Sequence, residues 1–359
     1  MLTRAIRRTN NHGLPSSIHD ISDAVQRLLA GEVVAFPTET VYGLGADALN
    51  ARAVQRVFDL KRRPGFNPLI VHVSGPEMAA RVVAPGAWSA DAAALARAFW
   101  PGPLTLVLPK GASIPDAVTG GGPTVAVRCP DHPTALALLY HLEHPLVGPS
   151  ANLSGSVSPT TAAHVRAAFP PDDVKVLDGG ACAVGIESTV VDLTGPRPRI
   201  LRPGAISAGD IAAVLGRVVE DPAGHSDTHS PDDRPRGDRP HRSPGQLDRH
   251  YAPHCMAVMY TTEFELLDFI GQSAIAGRGA IVLGLWETRQ SLPPPHRFVQ
   301  MPGDPVRYAA EMYARIREAD AQFPAAIMIE RPRANPPAVP DDPLWAAIID
   351  RLSRATTRP

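Results

Sequence analysis

Apolar residues recur every three or four positions in two stretches near the start of the chain. The first runs from Ser17 to Gly31 and predicts an amphipathic helix that Ser17 caps and Gly31 ends. The second opens at Asn50, continues to Lys61 and stops at a Pro-Gly pair. Each helix is followed by a short apolar run, which is the pattern of an α/β protein.

Short apolar runs rich in β-branched residues continue along the first part of the chain and are typical of buried strands. Helical patterns separate most of them, so the series predicts an α/β domain that ends near residue 220. The runs are "EVVAF", "PLIVHV", "LTLVL", "TVAVR", "PLVGP", "VKVL" and "STVVDL".

The composition changes between residues 221 and 250, where Asp, Arg, Pro and His replace almost all aliphatic side chains. Such a segment buries too little apolar surface to offset its ordering entropy, so we predict a linker. After it, alternating strand and helix patterns predict a smaller, Rossmann-like α/β domain. The predicted division is a main domain over 17–220, a linker or lid over 221–253 and a small α/β domain over 254–355.

Composition and charge narrow the function classes. With 44% hydrophobic residues, the chain has the composition of a folded globular protein. The formal net charge of −1 gives no general attraction to nucleic acid or to an anionic membrane, so a polyanion has to meet a local basic cluster. Only three of the 35 basic residues are lysines, Lys61, Lys110 and Lys175, so a lysine in a motif is informative.

Redox and targeting signals are few. Cys129, Cys182 and Cys255 lie far apart without a CxxC pair, which favours neither a disulfide framework nor a cysteine zinc site and fits a reducing cytoplasm. We find no apolar run of membrane-spanning length and no secretion signal, so we expect a cytoplasmic protein without a membrane partner. The Arg-rich first 16 residues loosely resemble an organellar transit peptide, although a frayed tail is the preferred interpretation.

Three familiar ligand-binding motifs are matched only in part. Gly43, Gly45 and Ala48 satisfy GxGxxA, but they stand far from the preceding strand and lack the downstream acid that binds a ribose. No lysine has the flanking residues of a phosphate-binding loop. "GPSAN" around Ser150 resembles a hydrolase nucleophile elbow but has Asn152 at the second glycine, which leaves a serine hydrolase as an open alternative.

Cations and hydroxyls recur at the ends of the predicted elements. Lys61 and Arg63 close a helix and lead into the turn "RPGFNP", while Arg128 and Arg202 end strands, where ligands collect in open α/β sheets. The loops "PSANLSGSVSPTT" and "GIESTVVD" add serines, threonines and a glutamate, and Ser158 is predicted to cap a helix. Each feature alone has a structural explanation, but together they predict a cation-rich cleft with few candidates for covalent catalysis.

The ordered set of these motifs resembles the YrdC family. The matching stretches cover about residues 17 to 216, and "SPGQLDRHYAPHC" followed by a small α/β domain is similar to the two-domain members, which are threonylcarbamoyl-AMP synthases. The resemblance implies a twisted mixed sheet with flanking helices and a smaller Rossmann-like C-terminal domain. The stretches are "FPTETVYGLGADA", "KRRPGFNPLIVH", "FWPGPLTLVL", "TVAVRCPDHP", "GPSANLSGSVSPTT", "GIESTVVD" and "ILRPGAI".

The resemblance also implies a reaction. Members of the family form threonylcarbamoyl-AMP and pyrophosphate from L-threonine, bicarbonate and ATP, and a downstream threonylcarbamoyl transferase modifies adenosine in certain tRNAs. The implied enzyme is a nucleotidyltransferase that uses ATP as substrate and Mg²⁺ as cofactor. Because the carbamate of threonine attacks the α-phosphorus itself, the reaction needs positioned cations rather than a Ser or Cys adduct.

Matching motifs assign residues to each substrate. Lys61 and Arg63 are expected to be catalytic, acting on the phosphates, and Arg128 to pair with the threonine carboxylate. Gly43 and Gly45 are expected to permit close backbone approach in the threonine pocket. The residues assigned to L-threonine are Thr40, His72, Arg128, Gly148 and Ser188. The residues assigned to ATP are Arg63, Asn67, Thr124, Ser150, Ser158, Arg202 and Tyr251.

The linker exit has two interpretations. The resemblance implies that Tyr251 folds back over the nucleotide. His250, His254 and Cys255 offer three metal-ligand side chains within six residues, but "HYAP" is itself the family pattern, so we expect no metal site made of protein ligands. Residues 246–248 depart from the family pattern, so the resemblance does not assign the contacts of the lid segment.

Two other function classes remain open. One is a non-catalytic module whose cationic cleft binds tRNA or double-stranded RNA, with strong salt dependence and no ATP turnover. The other is a related carbamoyltransferase that acts through a carbamoyl-adenylate and shares the nucleotide motifs. Such an enzyme would release pyrophosphate with carbamoyl phosphate instead of threonine and bicarbonate.

Overall fold

The computed structural model describes residues 17–221, 250–271, 277–285, 292, 294–332 and 342–357, which divide into two compact units. The first unit contains residues 17–154 and 159–221, and the second contains Gly155–Ser158 and the described residues from 250 onward. The Arg-rich start, residues 246–248 and most of the predicted linker lie outside the described residues. The domain boundaries given above remain a prediction.

The first two predicted helices are present, with the predicted caps. Helix α1 (Ile18–Leu29) follows Ser17, whose Oγ accepts a hydrogen bond from the Asp20 amide at 3.2 Å. Helix α2 (Ala51–Lys61) follows Asn50, whose side-chain oxygen accepts from two amides of the first turn. It ends at Arg62, which adopts the left-handed conformation with φ of 50°.

A nine-stranded mixed sheet forms the centre of the first unit, in the order β7-β1-β2-β6-β3-β5-β4-β8-β9. β1 pairs antiparallel with β2, whereas β3 and β5 are parallel neighbours, so the predicted mixed sheet is confirmed. The strands are β1 (Val34–Phe36), β2 (Gly43–Asp47), β3 (Ile70–His72), β4 (Leu104–Pro109), β5 (Thr124–Arg128), β6 (Leu146–Val147), β7 (Lys175–Val176), β8 (Thr189–Asp192) and β9 (Arg199–Arg202).

Further helices cover the sheet. Val71, Leu106 and Val127 on three adjacent strands are completely or almost completely buried in one large apolar cluster. Burying each such side chain stabilises the fold by about 1.5–3 kcal/mol relative to exposure. The remaining helices of this unit are α3 (Pro76–Val82), α4 (Ala90–Phe99), α5 (Asp116–Thr119), α6 (Pro133–Leu142), α7 (Ala162–Arg166) and α8 (Ala208–Leu215).

Helix α7 corrects one prediction, because its cap is Thr161 and not Ser158. The Thr161 hydroxyl accepts a hydrogen bond from the His164 amide at 3.3 Å, which places the first helical residue at Ala162. The Ser158 carbonyl instead accepts a hydrogen bond from Arg317 at 3.3 Å. The cap was misplaced because Ser and Thr are interchangeable in the pattern, and only the geometry decides between them.

The second unit has a four-stranded parallel sheet in the order β10-β13-β11-β12. This order confirms a second, smaller α/β fold. Strand β12 was not predicted, because its "RFVQ" is mostly exposed and has no apolar run. The elements are β10 (Met256–Tyr260), α9 (Glu263–Gly271), β11 (Ala280–Gly284), β12 (Arg297–Gln300), α10 (Pro305–Asp320), β13 (Ala326–Glu330) and α11 (Pro343–Ala355).

Among the helices that the structure describes, none combines the length and the apolar character that a bilayer-crossing segment requires.

Candidate active site

The stretch "FPTETVYGLGADA" lies beside the serine-rich loop "PSANLSGSVSPTT", residues 149–161, which follows β6. The contacts are made by the parts of this loop that belong to the first unit, residues 149–154 and 159–161. The Leu44 amide donates to the Pro149 carbonyl at 2.7 Å, and the Ala151 amide donates to the Tyr42 carbonyl at 2.8 Å. The Tyr42 amide in turn donates to the Pro159 carbonyl at 2.9 Å. These backbone bonds bring together two segments that are about 100 residues apart in the sequence.

The glycines of this stretch make room for an aromatic ring. A Cβ on Gly43 would lie 2.8 Å from the Phe36 ring, and one on Gly45 would lie 3.0 Å from it. Both residues belong to β2, which pairs with the strand that carries Phe36. The structure therefore gives these glycines a packing role against Phe36, and their close approach to threonine stays a prediction.

Arg128 is the centre of the first charged cluster. The residue is 3% exposed, its Nη1 donates to Thr40 Oγ1 at 2.8 Å, and its Nε donates to the Gly102 carbonyl at 3.3 Å. Arg128 Nη2 lies 2.6 Å from Glu39 Oε1 as an ion pair, but neither atom has a well-aligned hydrogen bond. The other Glu39 oxygen, Oε2, accepts from the Asp131 amide at 3.0 Å.

His72 joins the same cluster. It is the register partner of Arg128 across β3 and β5, and its ring packs edge-on against Phe36 with a centroid distance of 5.4 Å. Burial, with a further contribution from the charge of Arg128, lowers the pKa of His72 to about 3. A Cβ on Gly148 would lie 2.6 Å from His72 Nδ1, a buried nitrogen that has no hydrogen-bond partner among the described residues.

Lys61 is the centre of the second cluster. The side chain is 1% exposed, and its Nζ donates to the carbonyls of Ser150 at 2.5 Å and Asn152 at 2.6 Å. Burial, and secondly the charge of Arg63, hold its pKa well below the usual value. In the part of the chain that the structure describes, no carboxylate forms an ion pair with Lys61. Its charge is therefore held by backbone carbonyls of the serine-rich loop.

Arg63 and Asn67 belong to the turn that follows α2. Arg63 Nε donates to the Asn67 carbonyl at 3.1 Å, and its Nη2 donates to the Pro68 carbonyl at 2.9 Å. The Asn67 amide donates to the Pro64 carbonyl at 3.1 Å, and Asn67 is 2% exposed. The guanidinium thus fixes the turn from inside, which agrees with the rigid turn that the proline and glycine pattern predicted.

Arg202, the last residue of β9, and Ser188, which directly precedes β8, form a third polar group. Arg202 donates to the Ser188 carbonyl at 3.0 Å through Nε and to Ser188 Oγ at 3.1 Å through Nη2. Ser188 Oγ also shares a hydrogen bond of 2.8 Å with Thr105 Oγ1, and both hydroxyl residues are completely buried. The residues assigned to threonine and to ATP are therefore in direct contact at this point.

Thr124 is separated from Arg128 along β5. Thr124 begins the strand that Arg128 ends, so the two lie about 13 Å apart at about 3.3 Å per strand residue. Ser158 and Tyr251 belong to the second unit. There Tyr251 is 1% exposed, adopts φ of 64°, and packs on His250 and Tyr313 at ring distances of 4.0 and 5.6 Å.

Other chemistries find little support. Ser150 pairs with Gly43 in an isolated bridge and does not stand at a strand-to-helix turn, as a nucleophile elbow requires. Burial raises the pKa of Cys129 to about 12, so its thiolate is scarce at neutral pH. His254 Nδ1 lies 2.8 Å from Asp320 Oδ2, and among the described residues no group of three His, Cys, Asp or Glu side chains could hold a metal ion.

The lack of a metal-ligand cluster among the described residues also bears on the expected Mg²⁺. The described residues offer no ready-made cage of carboxylates, so they do not by themselves form a site for this ion. Mg²⁺ in nucleotide sites takes most of its ligands from phosphates and water. It therefore remains a prediction, and none of the chemistry derived below depends on it.

Two residues that matter in this arrangement were not selected from the sequence. Glu39 faces Arg128 from 89 positions away, and Thr105 supports Ser188 from the middle of an apolar strand. A buried acid within "PTET" is the signal that could have pointed to Glu39, since acids are seldom buried without a partner. No comparable signal marks Thr105.

The chain matches two family profiles that together span most of its length. The family described as "Telomere recombination", which includes the YrdC proteins, matches residues 26–204. The family described as "Threonylcarbamoyl-AMP synthase, C-terminal domain" matches residues 206–357. The fold and the site thus define a class of two-domain proteins. Its members have a mixed-sheet unit with buried cations, followed by a small parallel-sheet unit.

Similar proteins agree with these matches. A threonylcarbamoyl-AMP synthase of Schizosaccharomyces pombe is 33% identical over 90% of this chain and 85% of its own length. A threonylcarbamoyl-AMP synthase of Pyrococcus abyssi is 46% identical over 64% of each chain, and one of Bacillus subtilis is 44% identical over 65% of this chain and 64% of its own. The alignments thus span just under two thirds of the latter two relatives.

A solved structure supports the same relationship over nearly the whole chain. The crystal structure of P. abyssi Sua5 complexed with L-threonine superposes with a TM-score of 0.78, at 34% identity over 94% of each chain. The chain therefore belongs to the YrdC family, in the two-domain group that carries the threonylcarbamoyl-AMP synthase C-terminal domain.

Proposed function

We propose that the protein is an L-threonylcarbamoyladenylate synthase, which forms threonylcarbamoyl-AMP and pyrophosphate from L-threonine, bicarbonate and ATP. The observation that carries this proposal is the group of buried atoms without an aligned hydrogen bond on Glu39, His72 and Arg128. Such atoms are costly unless a ligand completes their hydrogen bonds. A carboxylate, a guanidinium and a neutral imidazole together suit an amino acid that carries a hydroxyl.

Each of these groups has a part in holding threonine. Arg128 takes the carboxylate, because a guanidinium offers two parallel donors to a planar anion. The low pKa of His72, about 3, keeps its ring neutral at physiological pH, so His72 can hydrogen-bond the threonine hydroxyl without adding charge. We assign Glu39 to the amino group, and it balances Arg128 before the substrate arrives.

Lys61 and Arg63 serve the triphosphate. Lys61 has no carboxylate partner among the described ion pairs, so a phosphate would relieve the cost of its buried charge. Asn67, Thr124, Ser150, Ser158, Arg202 and Tyr251 are the other residues that we assign to ATP.

The chemistry then needs no covalent intermediate on the enzyme. The threonine amine attacks bicarbonate and releases water, which gives a carbamate anion. A carbamate oxygen attacks the α-phosphorus of ATP, and pyrophosphate leaves with the electrons of the broken P–O bond. The residues of this chain hold the two anions in line and stabilise the charge that spreads over the phosphoryl oxygens.

The partners follow from the product. A mixed anhydride of a carbamate and AMP is reactive, so a downstream threonylcarbamoyl transferase that modifies tRNA adenosine is the expected consumer. We propose the cytoplasm as the compartment, because the tRNA substrate is present there and the three cysteines are free thiols. The division into a catalytic domain, a lid and a small α/β domain is part of the same proposal.

Mass spectrometry of the product from ATP, L-threonine and ¹³C-labelled bicarbonate tests the function. We expect threonylcarbamoyl-AMP with one labelled carbon, and one pyrophosphate for each product molecule. Pyrophosphate release with carbamoyl phosphate instead of threonine and bicarbonate would select the carbamoyltransferase. Salt-sensitive RNA binding without ATP turnover would select the RNA-binding module.

A further inference from the structure

One face of helix α10 holds two chain segments of the second unit. Tyr313, Arg317 and Asp320 are spaced by four and three residues, so they share one face of the helix. Arg317 donates through Nη2 to the Val157 carbonyl and through Nε to the Ser158 carbonyl at 3.3 Å. A single guanidinium therefore fixes two successive peptide groups of the serine-rich loop.

The same helix face holds the exit of the linker. Tyr313 packs on the ring of Tyr251, and Asp320 accepts hydrogen bonds from the amides of His254 at 3.0 Å and Cys255 at 2.9 Å. The two held segments also bond each other, since the Ala252 amide donates to the Gly155 carbonyl at 2.8 Å. The four-residue segment, the linker exit and α10 thus form one connected set within the second unit.

The rest of the serine-rich loop is held by the first unit. Lys61 holds the carbonyls of Ser150 and Asn152, and the Lys61 carbonyl accepts from the Ser154 amide at 2.9 Å. Beyond the segment, the Pro159 carbonyl accepts from the Tyr42 amide. Within the first unit, Lys61 therefore fixes the part of the loop that carries Ser150. Within the second unit, Arg317 fixes the part that carries Ser158.

We propose that Arg317 is a positioning residue for the nucleotide, which holds Ser158 in the conformation that binds ATP. Arg317 lies on the same face of α10 as Tyr313, which packs on Tyr251. The proposal rests on the proposed function for its ligand. Burial lowers the pKa of Arg317 to about 10, an effect that Asp320 partly offsets, so the guanidinium remains charged at neutral pH. A charged donor to two carbonyls is stronger than a neutral one, which suits a fixing role.

The experiment compares the full-length wild type with Arg317→Ala, Arg317→Lys and Arg315→Ala. Arg315 is the matched control, because it lies on the same helix and its ion pairs with described residues are those with Glu311 and Glu318 at the surface. Two quantities are measured: amide hydrogen exchange of residues 150–161 without substrates, and the Kd of ATP by calorimetry without threonine or bicarbonate. Neither quantity requires turnover.

We expect Arg317→Ala to speed exchange at residues 155–158 and to raise the Kd of ATP, each about 10-fold, the usual effect of losing one charged hydrogen bond. Arg317→Lys, which can still donate to one carbonyl, should restore part of both effects, and Arg315→Ala should change neither. The KM of threonine should stay the same in every variant that turns over.

Faster exchange with an unchanged Kd of ATP would give Arg317 a merely structural role and overturn the proposal. Unchanged exchange in Arg317→Ala would overturn it as well. The Arg317→Lys variant serves the same comparison if Arg317→Ala does not fold. If the wild type binds ATP but makes no threonylcarbamoyl-AMP, the proposed function fails while the role of Arg317 is still decided by these two measurements.

Discussion

Lys61 and Arg128 are both buried cations of the first unit, yet their surroundings differ. Arg128, at 3% exposure, lies against the carboxylate of Glu39, whereas Lys61, at 1% exposure, is held by two backbone carbonyls. Carbonyls solvate a cation without cancelling its charge, while a carboxylate cancels it. The region around Arg128 is therefore close to neutral and suits a zwitterion. Around Lys61, whose burial lowers the pKa, a bound polyanion would supply the missing negative charge and stabilise the ammonium form.

The largest expected effect on activity comes from a substitution in the region around Lys61. Lys61→Ala should reduce pyrophosphate release by about 100-fold or more, because it removes a buried cation from the phosphates in the transition state. The free energy of unfolding should change by less than about 2 kcal/mol, since two unpaired carbonyls are offset by the loss of a buried charge. Steady-state kinetics and urea unfolding measure the two quantities.

Lys110→Ala is the matched control for Lys61→Ala. Lys110 forms an ion pair with the exposed Asp116 and has no place in the candidate site. Its removal should leave the kinetics unchanged. Full activity in Lys61→Ala would show that Lys61 only fastens the serine-rich loop, and the proposed difference between the two regions would then be incorrect.

The next largest effect separates the two substrates. Arg128→Lys should raise the KM of threonine about 10- to 100-fold, the value of a charged, bidentate contact, and leave the KM of ATP nearly unchanged. Glu39→Gln keeps the shape but removes the balancing charge, and we expect about a 10-fold rise in the same KM. Titrations of threonine and ATP with each variant measure these shifts.

Arg202→Lys is compared with Arg128→Lys, because the two substitutions should affect different substrates. Arg202 is assigned to ATP, although it also contacts Ser188 of the threonine group. Its replacement should raise the KM of ATP more than the KM of threonine. If both arginine variants weaken both substrates equally, the separation into a zwitterion region and a phosphate region does not hold.

The last effect concerns stability at acid pH and is absent at neutral pH. Because the pKa of His72 is about 3 when folded and about 6.5 when unfolded, the unfolded chain binds more protons between these values. Stability is therefore lost as the pH falls from 6.5 towards 3, by at most about 1.4 kcal/mol per pH unit from this residue. His72→Gln should flatten that slope in urea unfolding series.

His19→Gln supplies the reference for the His72 experiment, since His19 is exposed on α1. It should leave the slope between pH 6.5 and 3 as it is in the wild type. A slope that stays the same in His72→Gln would mean that the ring is protonated in the folded protein. The region around Arg128 would then carry more positive charge than we infer.

Local structure was predictable where the signal is local. Ser17 and Asn50 cap the helices that the apolar spacing predicted, and Arg128 and Arg202 end strands as expected. A cap or a strand end is decided within a few residues, so the sequence contains the information needed. The family resemblance added the assignment of these residues to substrates, which periodicity alone could not supply.

Contacts between distant segments were not predictable. The Glu39–Arg128 pair and the carbonyls around Lys61 each join residues from different strands or loops. The strand order β7-β1-β2-β6-β3-β5-β4-β8-β9 that creates them does not follow the sequence. Ser158 shows the same limit, because its carbonyl is bound by a residue 159 positions later.

The assignment of Gly155–Ser158 to the second unit has a practical consequence for anyone who shortens the protein. Cutting after residue 221 would leave the lobe with the nine-stranded sheet complete in its strands but would delete both Arg317 and Ala252, which hold that four-residue strap. If the truncated protein used ATP poorly, the cause could be the lost contacts of Gly155–Ser158 as much as the absence of the second unit itself. Point variants in the intact polypeptide are the cleaner way to learn what each half contributes.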